Sequence, residues 1–192
     1  MASDTKYAIS VMCPDRVGLV ACLTSAVSKA GGNIEELHQG VVQGYFAFTM
    51  LANFPSGESA EVVKTALEKA GKSGDFVVSV LPRASKPLPP AALGGVFVLT
   101  LSGNDSPSIL SKLTGYLADR GINIDDLSSR VDNNRFLITA QLTIPDEVDI
   151  KGVRLDLAEV LAGGTEGVSL MHQDIFAATN QVSMRPSHGK RQ

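Results

Sequence analysis

The sequence predicts an α+β protein in which one small plan, strand, helix, strand, strand, helix, strand, is laid down twice. Three observations carry that expectation. First, sliding the chain by 90 positions sets Asp15 on Asp105, Leu23-Thr24 on Leu113-Thr114, Gly31 on Gly121, Asn33-Ile34 on Asn123-Ile124 and Leu37 on Leu127, with no gap. The register continues through Val41 on Val131, Phe46 on Phe136, Thr49 on Thr139 and Pro55 on Pro145. A repeat of that length is a whole small domain rather than a solenoid unit. Second, each copy switches between a helical period and strand alternation at matching places. Third, a proline-rich stretch separates the copies.

In the first copy, Tyr7 to Met12 is a short apolar run of strand formers stopped by Pro14. From Arg16 the period changes. Val20, Leu23 and Val27 recur at i, i+3 and i+7, as do Leu110, Leu113 and Leu117, so each segment is a helix with one apolar face. Gly31-Gly32 and Gly121 end these helices. A strand pair follows, Ile34 to Gln43 with Phe46 to Phe54. It is clearest in copy two, where Phe136, Ile138, Ala140, Leu142 and Ile144 alternate with Leu137, Thr139, Gln141 and Thr143. Gln43-Gly44 and Asn133-Asn134 supply the turns.

A second helix is expected on Val63, Ala66, Leu67 and Ala70, and in copy two on Ile150, Val153, Leu157, Val160 and Leu161. Phe76 to Leu81 and Val168 to His172 close each copy as strands. The order is that of the split βαβ, ferredoxin-like plan, two tandem βαββαβ domains, each with two helices on one face of a four-stranded antiparallel sheet. The expected boundaries are 5–82 for the first domain, 83–95 for a linker holding Pro87, Pro89 and Pro90, and 96–173 for the second domain. Residues 174–192 add a short amphipathic helix on Ile175, Phe176 and Ala178, then a polar, basic tail expected to be disordered.

Composition narrows the function. With 17 basic against 20 acidic side chains and a net charge of −3, the chain lacks the basic surplus that phosphate-backbone binding uses, so direct nucleic-acid binding is not expected. No run reaches the ~18 apolar residues of a membrane span, and residues 1–6 hold no hydrophobic signal core, so an intracellular, cytoplasmic protein is expected. Cys13 and Cys22 have no counterparts in copy two and no metal-ligand spacing, which favours reduced thiols.

The stretch from Cys13 to Leu37 holds the chemistry that recurs. A glycine-containing loop between a strand and a helix start presents free backbone N–H groups and a positive dipole end, a seat for a carboxylate. Gly18 would let a ligand approach the backbone, Asp15 can accept from an ammonium, and Asn33 can donate and accept. The alternatives stay open from sequence: Asp15 as a helix N-cap, Gly18 as a packing glycine, Asn33 as a turn residue. Copy two keeps Asp105 and Asn123 but has Ser108 in place of the glycine. A single competent site would therefore be built on the loop of copy one.

The run Cys13-Pro14-Asp15-Arg16-Val17-Gly18-Leu19-Val20, with Gly31-Gly32-Asn33-Ile34, resembles the Asp/Asn-Arg-Pro-Gly-Leu and Gly-x-Asn-Ile elements of ACT domains, ferredoxin-like modules that sense amino acids. Two copies with a proline-rich linker and little else look like the glycine cleavage system transcriptional repressor family, and the resemblance covers nearly the whole chain. It implies a non-enzymatic regulator without a cofactor. Its ligand would be a small amino acid, glycine or serine, held where two ACT domains pack side by side. The implied ligand contacts are Asp15, Arg16, Val17, Gly18 and Leu19 in the loop, Asn33 and Ile34 on the next strand, and Asp105 and Asn123 in copy two. The implied partner is a regulatory protein, such as a transcription factor, and the sheet edges of such domains commonly pair, which points to a homodimer. The same module also begins formyltetrahydrofolate deformylases, so the alternative reading is a sensor subunit or detached regulatory part related to that enzyme.

Other motifs carry less. Ala66 to Ser73 satisfies a loose P-loop pattern, yet it closes a helix where a P-loop opens one. Gly40 to Gly44 echoes part of an acylphosphatase signature, but lies in the hairpin and has Phe48 where the arginine belongs. His38, His172 and His188 share no metal spacing. Glu35-Glu36 and Asp125-Asp126 are adjacent strand residues expected to face opposite ways, a poor acid/base geometry.

Overall fold

The computed structural model describes residues 5–54, 58–71, 74–83, 94–161 and 165–182. They fall into two compact units, Met1–Leu88 and Pro89–Gln192. The first runs β1 (Thr5–Pro14), α1 (Leu19–Lys29), β2 (Asn33–Val42), β3 (Tyr45–Phe54), α2 (Ala60–Ala70) and β4 (Val77–Pro82). The second repeats it as β5 (Gly94–Asn104), α3 (Ile109–Asp119), β6 (Asn123–Asp132), β7 (Arg135–Pro145), α4 (Ile150–Val160) and β8 (Thr165–His172), followed by α5 (Gln173–Val182). The sheets have the orders β2-β3-β1-β4 and β6-β7-β5-β8, antiparallel throughout. The α+β, βαββαβ architecture read from the sequence is thus the one observed.

The strand register follows from alternation and turn chemistry. In β1, Tyr7, Ile9, Val11 and Cys13 are buried beneath the helices while the residues between them face outward. Phe46, Phe48, Met50, Ala52 and Phe54 do the same in β3. Gln43 (φ 50°) with Gly44 (φ 81°), and Asn133 (φ 48°) with Asn134 (φ 59°), form two-residue hairpins whose left-handed backbone matches the strand twist. Leu23, Val27, Val63 and Leu67 complete the first core; Leu113, Leu117, Val153 and Leu157 complete the second.

Two helices start on capping side chains. The Ser59 hydroxyl accepts from Val62 N–H at the head of α2, and the Asp149 carboxylate accepts from the N–H groups of Lys151 and Gly152 at the head of α4. Both cysteines are free thiols, Cys13 in the core and Cys22 half-buried.

The structure corrects the expectation for the paired acids. A β-bulge at Ile34/Glu36, repeated at Ile124/Asp126, breaks the alternation. Glu35 then turns to Lys6, with Oε1 2.6 Å from Nζ, on the face away from the helices. Residues 84–93 of the expected linker, the tail 183–192 with His188, and Lys72 and Ser73 of the loose P-loop pattern lie outside the described residues; Gly94 and Gly95 belong to β5. Among the described residues no helix is long and apolar enough to cross a membrane.

Candidate functional site

Each β–α loop is pinned to the hairpin beside it. Asp15 N–H donates to the Gly44 carbonyl at 2.8 Å, and Asp105 N–H donates to that of Asn134 at 2.8 Å. The loop then enters its helix through a left-handed residue, Gly18 (φ 94°, ψ 1°) or Ser108 (φ 72°, ψ 0°). These residues are the N-caps, and neither helix start receives a side-chain cap. Asp15 is therefore not a capping residue. Gly18 does not serve close packing either, since a methyl group added there would meet nothing within 4 Å. Its requirement is the positive φ, and it leaves open space in front of the helix.

In α1 the first helical bond runs from Cys22 N–H to Gly18 O at 2.9 Å, so the amides of Leu19, Val20 and Ala21 have no partner in the turn before them. The counterpart in α3 is Lys112 N–H to Ser108 O at 2.9 Å, but there Ile109 N–H also donates to Ser106 O at 3.4 Å, which leaves the amides of Leu110 and Ser111 without a partner in the turn before them. The capped α2 and α4 differ in this respect. The two helices that follow the repeated loops begin without a side-chain cap, and an exposed aspartate, Asp15 or Asp105, stands three residues before each left-handed entry.

The side chains expected at the ligand separate into groups. Val17 is fully exposed at the loop tip, whereas Leu19 is a core residue and Ile34 packs against that core, so those two offer a ligand backbone at most. Arg16 is engaged elsewhere. Its Nη1 lies 2.6 Å from Asp75 Oδ2 and its guanidinium sits 5.6 Å from the centre of the Phe76 ring. Asp75 and Phe76 were not singled out from sequence; they lie outside the repeated motif and only the fold brings them to the loop. Burial raises the pKa of the neighbouring Cys13 thiol, against the lowering effect of the Arg16 charge.

Asn33 does not share a cleft with Asp15 inside one unit. Asn33 pairs with Asn53 at one end of the hairpin, whereas Val42 pairs with Tyr45, which pairs with Pro14, at the other. Nine residues of strand, about 30 Å at ~3.3 Å each, separate the two. Asn123 is likewise remote from Asp105, and its Nδ2 donates to Asp125 Oδ1 at 2.6 Å while Thr143 Oγ1 donates to Asp125 Oδ2 at 2.7 Å. His38 stands on the uncovered sheet face opposite Thr49.

Copy two carries a groove of about 630 Å³ at this place, bounded by Asp105, Ser106 and Ser108 of the loop, by Ile109, Leu110, Ser111 and Thr114 of α3, and by Ser129, Val131 and Phe136 of the hairpin. Loss of the glycine has thus not closed the space, because Ser108 adopts the left-handed conformation itself.

Comparison with known proteins bears on the family and the fold. The chain is 27% identical over 144 residues to the glycine cleavage system transcriptional repressor of Escherichia coli K12, covering 75% of this chain and 74% of that one. A UPF0237 protein of Methanosarcina mazei is 32% identical over 79 residues, 41% of this chain and 86% of its own length. Among solved structures, an unknown protein from Galdieria sulphuraria superimposes with a TM-score of 0.67 at 22% identity, covering 88% of this chain and 99% of that one. A protein provisionally named as a glycine cleavage system transcriptional repressor gives 0.64 at 18% identity with the same coverage. The sequence profile of the ACT domain matches residues 7–80 and again 96–162. With a match across most of both units, the chain belongs to the ACT domain family as a tandem of two such domains.

Proposed function

We propose that this protein is a non-enzymatic, cytoplasmic regulator that binds a small amino acid, glycine or serine, at the β–α loops and reports it through protein contacts. The observation that carries the reading is the contrast in capping: α2 and α4 are closed by Ser59 and Asp149, while α1 and α3 receive no side-chain cap and follow loops that carry Asp15 and Asp105. Open amides with the positive end of the helix dipole suit a carboxylate, and the aspartate suits an ammonium. A zwitterion satisfies both at once.

The separation of Asp15 from Asn33 gives this reading its assembly. Both could touch one ligand only if the asparagine came from a second ACT unit lying antiparallel along the free edge of β2. Ligand would then favour that pairing, and a partner that recognises the paired form would read the ligand concentration as a population shift. Similarity to a transcriptional repressor supports a transcription factor as the partner. The net charge of −3 speaks against DNA as the direct target.

The test is thermal unfolding of the protein against each natural amino acid, with Asp15→Ala and Asn33→Ala as controls. A ligand at 100 times its Kd stabilises by about 2.7 kcal/mol. The expected result is an upward shift with one or two small amino acids, abolished in Asp15→Ala and weakened in Asn33→Ala. No shift with any amino acid overturns the reading.

A further inference from the structure

We propose that the helix layer of the first unit docks on the helix layer of the second unit of another copy, so that two chains exchange a reciprocal pair of contacts. The 90-residue register that aligns the loops also aligns α1 with α3 and α2 with α4. Four positions in these helices are charged in both units, and three of the four have opposite signs: Lys29 against Asp119, Glu61 against Lys151, and Lys69 against Glu159. The fourth, Lys64 against Arg154, keeps its sign. Outside the helices the positions charged in both units are Asp15 and Asp105, Glu35 and Asp125, Glu36 and Asp126, and all of these keep theirs. Inversion is confined to the helix layer.

The six inverted side chains are exposed in the full chain, and among the described residues none of them is in an ion pair. Lys112 and Arg154 are the other unpaired charges of α1 to α4. By contrast Lys64 lies 3.9 Å from Glu68, and Arg120 lies 2.7 Å from Asp156. Lys29 and Lys69 border a groove of about 450 Å³ between α1 and α2, which is otherwise lined by small residues such as Ser25, Ala26 and Ala66. Asp119 and Glu159 border the matching groove of about 540 Å³ between α3 and α4. The same two places in the fold thus carry cations in one unit and carboxylates in the other.

These signs select the occupant. A first unit facing a first unit sets Lys29 and Lys69 against the same lysines, and two second units oppose their acids in the same way. A first unit facing a second unit sets lysine against carboxylate whichever of the two positions meet, and complementary charge of this kind chooses partners more than it adds affinity. Contact position for position also brings Glu61 to Lys151; Lys64 then faces Arg154, with Glu68 beside it as counter-charge. Affinity comes from apolar side chains that the helices leave in water, Val62 at 52% exposure in the first unit, Leu155 at 71% and Val160 at 39% in the second. Size selects a second copy as the source. Two 11-residue helices side by side offer roughly 300 Å² of flat area. One such contact, all that a chain folded on itself can form, falls well short of the ~800 Å² per partner of a stable interface; two contacts formed at once around a two-fold approach it and close the assembly. The pairing uses the helix layer and leaves the β2 edge free.

The experiment is sedimentation velocity on the full chain, with far-UV circular dichroism to check folding. The expected result is a dimer for the unsubstituted chain. Lys29→Glu with Lys69→Glu should give a monomer, and so should Asp119→Lys with Glu159→Lys. All four substitutions in one chain should restore the dimer, because the signs are then exchanged and complementary again. Glu36→Lys, on β2, should leave it intact. A monomeric unsubstituted chain overturns the proposal. So does a dimer that survives either double reversal, or one that the fourfold variant fails to restore. Carbodiimide crosslinking of mixed isotope-labelled and unlabelled chains supplies a second readout: Lys29 or Lys69 should join Asp119 or Glu159 between chains of different label. Crosslinks at these residues only within one chain overturn the proposal as well.

Discussion

Arg16 Nη1 stands 2.6 Å from Asp75 Oδ2, and this contact ties the β1–α1 loop to the start of β4. The other oxygen of Asp75 is buried without a hydrogen-bond partner. The arginine thus positions the loop more than it offers itself to a ligand. Arg16→Ala and Asp75→Asn are each expected to lower stability by about 1 kcal/mol, as for an ion pair that keeps some contact with solvent. The double variant should be little worse than either single one. If the loop binds a ligand, both single variants should weaken it alike; a much larger effect of Arg16→Ala would assign the guanidinium to the ligand. Urea unfolding and ligand titration of the four proteins check this.

The left-handed helix entries give a second, paired prediction. Gly18 has φ 94° and Ser108 has φ 72°. A side chain in that region costs roughly 1 kcal/mol. Gly18→Ala should therefore lose about that much, despite the free space around it, and Ser108→Gly should gain roughly 0.5–1 kcal/mol. Opposite signs in chemical denaturation would show that the conformation, rather than packing, selects the residue at both loops.

Those loops also mark how far the sequence could be read. Alternation in β1, β3 and β7, the helical periods of α1 and α3 and the left-handed hairpin pairs are local signals, and each produced its element in place. The buried helix faces, however, are Leu19, Leu23, Ala26 and Val27 and Ile109, Leu113, Tyr116 and Leu117, with Val20 and Leu110 left exposed beside them. The repeat added the order of elements. The site was less legible because its geometry is not local. Asp15 and Asn33 are 18 positions apart in sequence, and only the antiparallel hairpin reveals that Asp15 lies by the turn at the Val42 end of β2 while Asn33 begins the strand at its other end. Asp75 reaches Arg16 because β4 lies next to β1, a fact of sheet order that no short motif encodes. The bulge that turns Glu35 is one extra residue, invisible to a period-two reading.

In the second unit the strand entrance is tied differently. Arg135 donates to both oxygens of Glu166, at 3.1 and 2.6 Å, from the hairpin to β8. Hydrogen bonding and charge from Arg135 lower the Glu166 pKa, while Glu166 raises that of Arg135. A depressed carboxylate contributes stability that is present above its unfolded pKa and is lost as pH falls through the folded value. NMR titration should place Glu166 below the ordinary glutamate range, and Arg135→Gln should return it there. The pair is solvent-exposed, about half of each side chain, so added salt should shrink the difference.

Tyr116 gives the corresponding test at the alkaline end. Its hydroxyl donates to Asp156 Oδ2 at 2.9 Å, and Arg120, whose guanidinium lies 3.7 Å from the tyrosine ring centre, donates to the same oxygen at 2.7 Å. Burial and the bond to Asp156 push the Tyr116 pKa up to about 12, against the opposing charge of Arg120. The folded protein holds the neutral phenol more tightly than the unfolded chain does. The resulting stability is complete below the unfolded value of about 10 and is lost as pH rises toward 12. Absorbance titration should show one tyrosine ionising late in the native state, and that late step should be missing from Tyr116→Phe. Asp156→Asn should bring the pKa back toward the ordinary range, because the hydroxyl then meets a neutral acceptor while the Arg120 cation remains beside it. A late step that survives Asp156→Asn unchanged would leave burial alone as the cause.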